Sequence, residues 1–123
     1  MALSKALIEK CKRSLLETKA EILNRVRDVR HDLHLSEDGK QGDEGDQTVR
    51  ALAESEALSN NERLRSRLVE IEMALSRIEN GTYGICEETE EVIEPDRLLA
   101  IPWTRLSIEG AEIRESMMKR YAH

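Results

Sequence analysis

Apolar or small residues recur at intervals of three and four from Ile8 through Cys11, Leu15, Thr18, Ile22, Val26, Val29 and Leu33. This spacing lines one face of an α-helix and predicts a helix over about residues 4–35. A second stripe passes through Val49, Ala53 and Ala57 and continues through Leu64, Leu68, Ile71, Leu75 and Ile78. Its last five members alternate steps of four and three, which makes a heptad seam. Asn80 and Gly81 follow, and a residue that tolerates positive φ is the usual end of a helix.

Between the two stripes lies Ser36-Glu-Asp-Gly-Lys-Gln-Gly-Asp-Glu-Gly-Asp46, with three glycines and five carboxylates. Neither long helix hides its stripe alone, and a short connection folds the second back on the first. The pattern therefore predicts an antiparallel coiled-coil hairpin over 1–81 with an acidic tip loop at about 36–47. Residues 82–107 read as irregular, with Glu94-Pro95 and Ile101-Pro102 each forcing an extended residue before the proline. Residues 108–123 read as a short C-terminal helix, with Ile108 and Ala111 turned toward the small region. The fold class is mainly α.

Composition agrees with elongated helices. Charged residues make up 36% of the 123-residue chain and Phe is absent, which leaves too little apolar bulk for a large core. Two cysteines do not make a disulfide framework, so a reducing cytoplasm is the expected location. No apolar run approaches the roughly 18 residues that cross a bilayer, and the N-terminal segment does not read as a signal peptide. The net charge of −6 argues against binding DNA through its phosphates, which needs clustered Lys and Arg. A protein is the expected partner. His31, His34 and His123 form no site with any nucleophile, and neither a P-loop nor a dinucleotide fingerprint occurs, so an enzyme is not expected.

The most informative stretch runs from Gly84 to Gly110. Cys86 begins a C-x2-C-x17-C-x2-C frame in which Thr89, Ser107 and Gly110 hold the other three positions. A structural zinc needs about four thiolate or imidazole ligands, so no metal and no cofactor is expected. Cys86 then reads as a small buried residue in a turn, since a reactive thiol needs exposure and a lowered pKa. Cys11 lies on the apolar stripe and reads as core. Packing has to replace the missing cross-link, with Tyr83, Ile93, Leu98 and Leu106 among the candidates and Trp103 expected as the largest piece.

Around the emptied frame stand Tyr83-Gly84-Ile85-Cys86, Ile93, Arg97-Leu98, Ala100, Pro102, Thr104 and Ile108. This scaffold resembles the C-terminal domain of the DksA/TraR family, bacterial factors that act on RNA polymerase. Asp43-Glu44-Gly45-Asp46-Gln47-Thr48 resembles the D-x-x-D-x-A tip motif of the DksA branch, with Thr48 in place of the alanine, and Asp46 precedes Cys86 by the spacing of that branch. The resemblance implies a helical hairpin joined to a small zinc-ribbon-like region, here without zinc. It implies a transcription regulator whose hairpin enters the secondary channel of the polymerase, with Asp43 and Asp46 as effector residues and Thr48 as an altered contact. It also implies a weak or absent response to ppGpp, because Glu70, Ile101 and Ala111 stand at positions that are basic in the branch. Arg97 and Arg105 survive nearby. As plain residues, Asp43 and Asp46 are also good N-caps for the second helix. The competing reading is a helical-hairpin adaptor with an unrelated partner, and a third is a factor that competes for the channel but does little there.

Overall fold

The computed structural model describes the backbone of residues 3–38 and 44–121, and side chains over 3–28 and 47–120. Among them four helices form: α1 (Lys5–Asp38), α2 (Glu44–Asn80), α3 (Pro95–Ala100) and α4 (Ile108–Tyr121). The mainly helical class and the coiled-coil hairpin expected from the stripes are what the structure shows.

Local chemistry sets the ends. The Ser4 hydroxyl accepts a hydrogen bond from the Leu7 N–H at 3.1 Å, satisfying one of the donors that a helix start leaves open. α1 runs three residues beyond Leu35, and α2 begins at Glu44, so both helices reach further than the loop expected at about 36–47. Acidic residues are favourable in a first turn, where they meet the positive end of the helix dipole. Asp46 therefore lies inside the first turn of α2 and is not its N-cap. α2 stops at Gly81, which takes φ +77°, and the Thr82 N–H returns to the Arg77 carbonyl at 2.9 Å.

α3 is an element that the irregular reading of 82–107 did not contain. Glu94 is extended, with φ −54° and ψ 130°, as a residue before proline should be, but Pro95 then opens a helical turn with Asp96 behind it. Proline suits the first helical position because its missing N–H is not needed there.

The chain packs as two compact units, one of residues 1–17 with 70–123 and the other of residues 18–69. The first holds most of the core: Cys11, Leu15, Ile71, Ala74, Tyr83, Cys86, Ile93 and Leu98 are all buried. Each large apolar side chain hidden this way contributes about 1.5 to 3 kcal/mol. Polar groups tie the same core together. The Cys11 thiol donates to the Leu98 carbonyl at 3.7 Å, the Tyr83 hydroxyl to the Pro102 carbonyl at 2.8 Å, and Arg97 Nε to the Leu106 carbonyl at 2.7 Å. Burial pushes the Tyr83 phenol above its ordinary value, helped by its hydrogen bond to Cys11, so it acts here as a neutral donor. Trp103 is only half-buried; Leu98 and Ile93 are the pieces that fill the interior. Ile85, Leu99 and Ile108 are exposed.

In the second unit Ile22 is buried on α1 and Asn61 on α2. Asn61 falls four residues after Ala57 and three before Leu64, so it completes the heptad seam that the apolar pattern left interrupted. Val49 and Ala53, placed on the stripe by their spacing, are exposed. The Asn61 side-chain oxygen has no hydrogen-bond partner among the described residues, and a buried acceptor left this way costs about 1 to 3 kcal/mol. Asn61→Leu is therefore expected to raise stability by roughly 1 to 3 kcal/mol, read as a higher midpoint in urea denaturation. An unchanged or lowered midpoint refutes this assignment.

Candidate functional site

The segment around Cys86 is shaped by two residues in the left-handed region. Gly84 has φ +84° and Glu90 φ +61°. Beside them Ile85 and Val92 form an isolated antiparallel bridge, closed by Cys86 N–H to the Glu91 carbonyl and Ile93 N–H to the Gly84 carbonyl, both at 2.8 Å. A Cβ on Gly84 would meet only the movable end of the Leu3 side chain at close range, so it is the positive φ that calls for glycine there. The turn directs the Cys86 sulfur inward, where it has no exposure.

Ser107 meets it from the other side. Its hydroxyl accepts from the Gly110 N–H at 3.0 Å, the bond of an N-cap to the third residue of α4, and donates to Cys86 Sγ at 3.4 Å. The Glu94 carboxylate accepts from the Ile108 N–H at 3.2 and 3.3 Å, closing a second open donor of the same helix. The Thr89 N–H donates to Cys86 Sγ at 3.5 Å, while the Thr89 hydroxyl accepts from the Glu91 N–H at 3.3 Å. All four positions of the cysteine frame are thus in one hydrogen-bonded cluster: a sulfur acceptor, a hydroxyl relay and two backbone donors.

This cluster does not fit zinc. One thiol is the only soft donor at the four positions, the Thr89 hydroxyl is bonded elsewhere, and Gly110 supplies no side chain. A Cβ built on Gly110 would lie 2.5 Å from Cys86 Sγ, 3.3 Å from the Glu88 Cβ and 3.4 Å from the Ser107 Oγ. The sulfur occupies room that a side chain at this position would need. Burial alone would raise the Cys86 pKa, but the hydrogen bonds from Ser107 and Thr89 outweigh it and lower the value to about 6.

Ion pairs reinforce the contact with α4. Arg114 Nε lies 3.0 Å from Glu88 and its Nη2 3.5 Å from Glu87, which also pairs with Arg105 at 3.6 Å. Sequence reading missed this set, because its members stand 26 and 27 residues apart with no periodicity to connect them. Arg97 and Arg105, noted as surviving cations, are thus both engaged, one with a carbonyl and one with Glu87. Glu70, Ile101 and Ala111 are all half-buried. At the tip, Asp43 lies outside the described residues. Asp46 is placed only by its backbone in the first turn of α2, and Thr48 is exposed on the same helix.

Two long helices and a knuckle that keeps the frame of a four-ligand metal site, closed here by a thiol hydrogen-bond cluster, define a class of helical-hairpin proteins of the zinc-finger type. The prokaryotic DksA/TraR C4-type zinc finger family matches residues 81–117. An uncharacterised protein of Aquifex aeolicus is 41% identical over 112 residues, covering 89% of this chain and 77% of its own. The RNA polymerase-binding transcription factor DksA of Caulobacter vibrioides is 36% identical over 111 residues, covering 88% of this chain and 75% of that one. Among solved structures, transcription factor DksA2 from Pseudomonas aeruginosa superposes with a TM-score of 0.82 at 32% identity, over 98% of this chain and 89% of that chain. The chain belongs to the DksA/TraR family.

The closeness of Gly110 to the sulfur makes Gly110→Ala a test of the cluster. It is expected to lower stability by about 1 to 3 kcal/mol, as overpacking does, measured as a lower urea midpoint. The Cys86 thiol supplies a second test. Its ordinary value is 9.0 and its folded value about 6, so the folded state binds fewer protons between these limits and gains stability as pH rises. The advantage of the parent protein over Cys86→Ala should be smallest below pH 6 and grow toward pH 9 in thermal melts. A difference independent of pH refutes the thiolate.

Proposed function

We propose that this protein is a transcription regulator that binds RNA polymerase directly, inserts its hairpin into the secondary channel and modulates initiation through Asp43 and Asp46. The observation that carries this reading is the similarity to the Caulobacter DksA, named as RNA polymerase-binding, along 88% of this chain. The five carboxylates in the sequence from Ser36 to Asp46 support the tip as effector. Thr48 is exposed in the first turns of α2 and brings a β-branched hydroxyl to the end of the tip motif. The protein acts without zinc, and the hydrogen-bonded cluster at Cys86 supports this because it closes the knuckle with backbone and hydroxyl donors. It works without catalysis and without reading DNA sequence. Its response to ppGpp is weak or absent: the carboxylate of Glu70 repels a polyphosphate, and Ile101 and Ala111 offer no side-chain donor.

The test is transcription in vitro from a stable-RNA promoter with purified RNA polymerase. The parent protein should alter initiation, keep that effect after exhaustive chelation and gain little from ppGpp. Asp46→Asn should still bind polymerase but lose at least most of the effect. An Asp46→Asn variant as active as the parent returns the tip to a helix-stabilising role, and loss of activity on chelation refutes zinc independence.

A further inference from the structure

One side of α4 holds the knuckle, where Gly110 is packed against Cys86 and Arg114 reaches Glu88. Another side carries a groove of about 310 Å³ lined by Glu109, Glu112, Ile113, Ser116, Met117 and Arg120. All six residues are exposed, so the apolar side chains of Ile113 and Met117 stand in solvent. None of the ion pairs found among the described residues uses Glu109, Glu112 or Arg120. Charge is graded along this face. Glu109 and Glu112 lie toward its start and Arg120 at its end, with Lys119 beside it in the last turn. Glu109 and Arg120 are about 16 Å apart along the axis.

We infer that this face is a self-association surface on which α4 of a second copy of the chain docks antiparallel. Glu109, Ile113, Ser116 and Arg120 follow one another in steps of four, three and four, a short heptad seam. That order of steps is the same read from either end, so the seam fits its own two-fold copy. Laid antiparallel, it sets Glu109 opposite Arg120 and Ile113 opposite Ser116, each twice, with Met117 adding apolar surface at the flank. Glu112 then approaches the partner's basic last turn. A parallel pairing would instead set Glu109 against itself and Arg120 against itself, and like charges in contact are unfavourable. The helix dipoles also favour the antiparallel arrangement, since each positive start lies beside a negative end. The inference does not depend on the polymerase-binding reading. A pair of 14-residue helices buries less than the roughly 1,200 Å² of a standard interface, so the expected dissociation constant is on the order of 100 µM.

The experiment is sedimentation equilibrium of the full chain over a concentration series that brackets this value, at low and moderate salt. The parent is expected to dimerise reversibly, less so as salt screens the ion pairs. Glu109→Arg and Arg120→Glu are each expected to weaken dimerisation by about tenfold or more, because a two-fold interface meets every substitution twice. An equimolar mixture of these two variants should regain the parent's association, since one then offers two cations to the two carboxylates of the other. Circular dichroism verifies helicity; if reversal lowers it, Glu109→Gln and Arg120→Gln, which keep helix propensity, replace them with the same direction of weakening. A parent that stays monomeric throughout the series overturns the inference. A dimer indifferent to the folded variants overturns the choice of α4, and reversed variants that stay folded but do not recover on mixing overturn the antiparallel register. A monomeric parent whose α4 variants lose affinity for RNA polymerase gives the face to that partner and overturns the second copy.

Discussion

The small region depends on one sulfur atom. Cys86 Sγ is buried and accepts hydrogen bonds from the Ser107 hydroxyl and the Thr89 N–H, and Ser107 in turn caps α4 through Gly110. A zinc ion would hold such a knuckle through four strong, directional ligand bonds. Here weaker bonds do so because they are linked: the hydroxyl that steadies the sulfur is also the residue that starts the helix. Gly110 is what permits the approach, since any side chain there would occupy the space of the sulfur. The same donors favour the ionised form of the thiol, which is why its pKa falls below the ordinary value.

Around that centre the structure substitutes ordinary packing and salt bridges for coordination. Ile93 and Leu98 fill the interior, while Arg114 ties α4 to Glu87 and Glu88. These pairs are partly exposed, and such pairs contribute only about 0 to 1 kcal/mol each, so the apolar core carries the larger share. Leu98 connects the two levels of organisation. Its side chain lies in the core and its carbonyl receives the Cys11 thiol of α1, so the short helix that Pro95 initiates joins the root of the first long helix.

The small region is held by two kinds of interaction, a buried thiol cluster and an apolar core. The relatives include an RNA polymerase-binding DksA, and the residues that depart from a four-cysteine frame, Thr89, Ser107 and Gly110, specify where this member differs.

Much of this was legible in the order of residues. The stripe from Ile8 to Val26, the heptad from Leu64 to Ile78, the helix stop at Gly81 and the absence of a thiolate ligand set follow from period and residue type alone. Those properties are local, and a helix repeats its geometry whatever it packs against. The α3 turn was also written locally, in Pro95 and Asp96, but Pro95 signals both an extended residue behind it and a helix ahead of it. Only the tertiary structure decided the rest. It placed Asn61 in the seam despite its polarity, left Val49 exposed despite its hydrophobicity, and made Trp103 secondary to Leu98. It brought Ser107 to Cys86 and Arg114 to Glu88 across more than 20 residues. The physical reason is that burial and hydrogen-bond partnership are properties of a surface meeting another surface, and no spacing along one chain segment states which surface that will be.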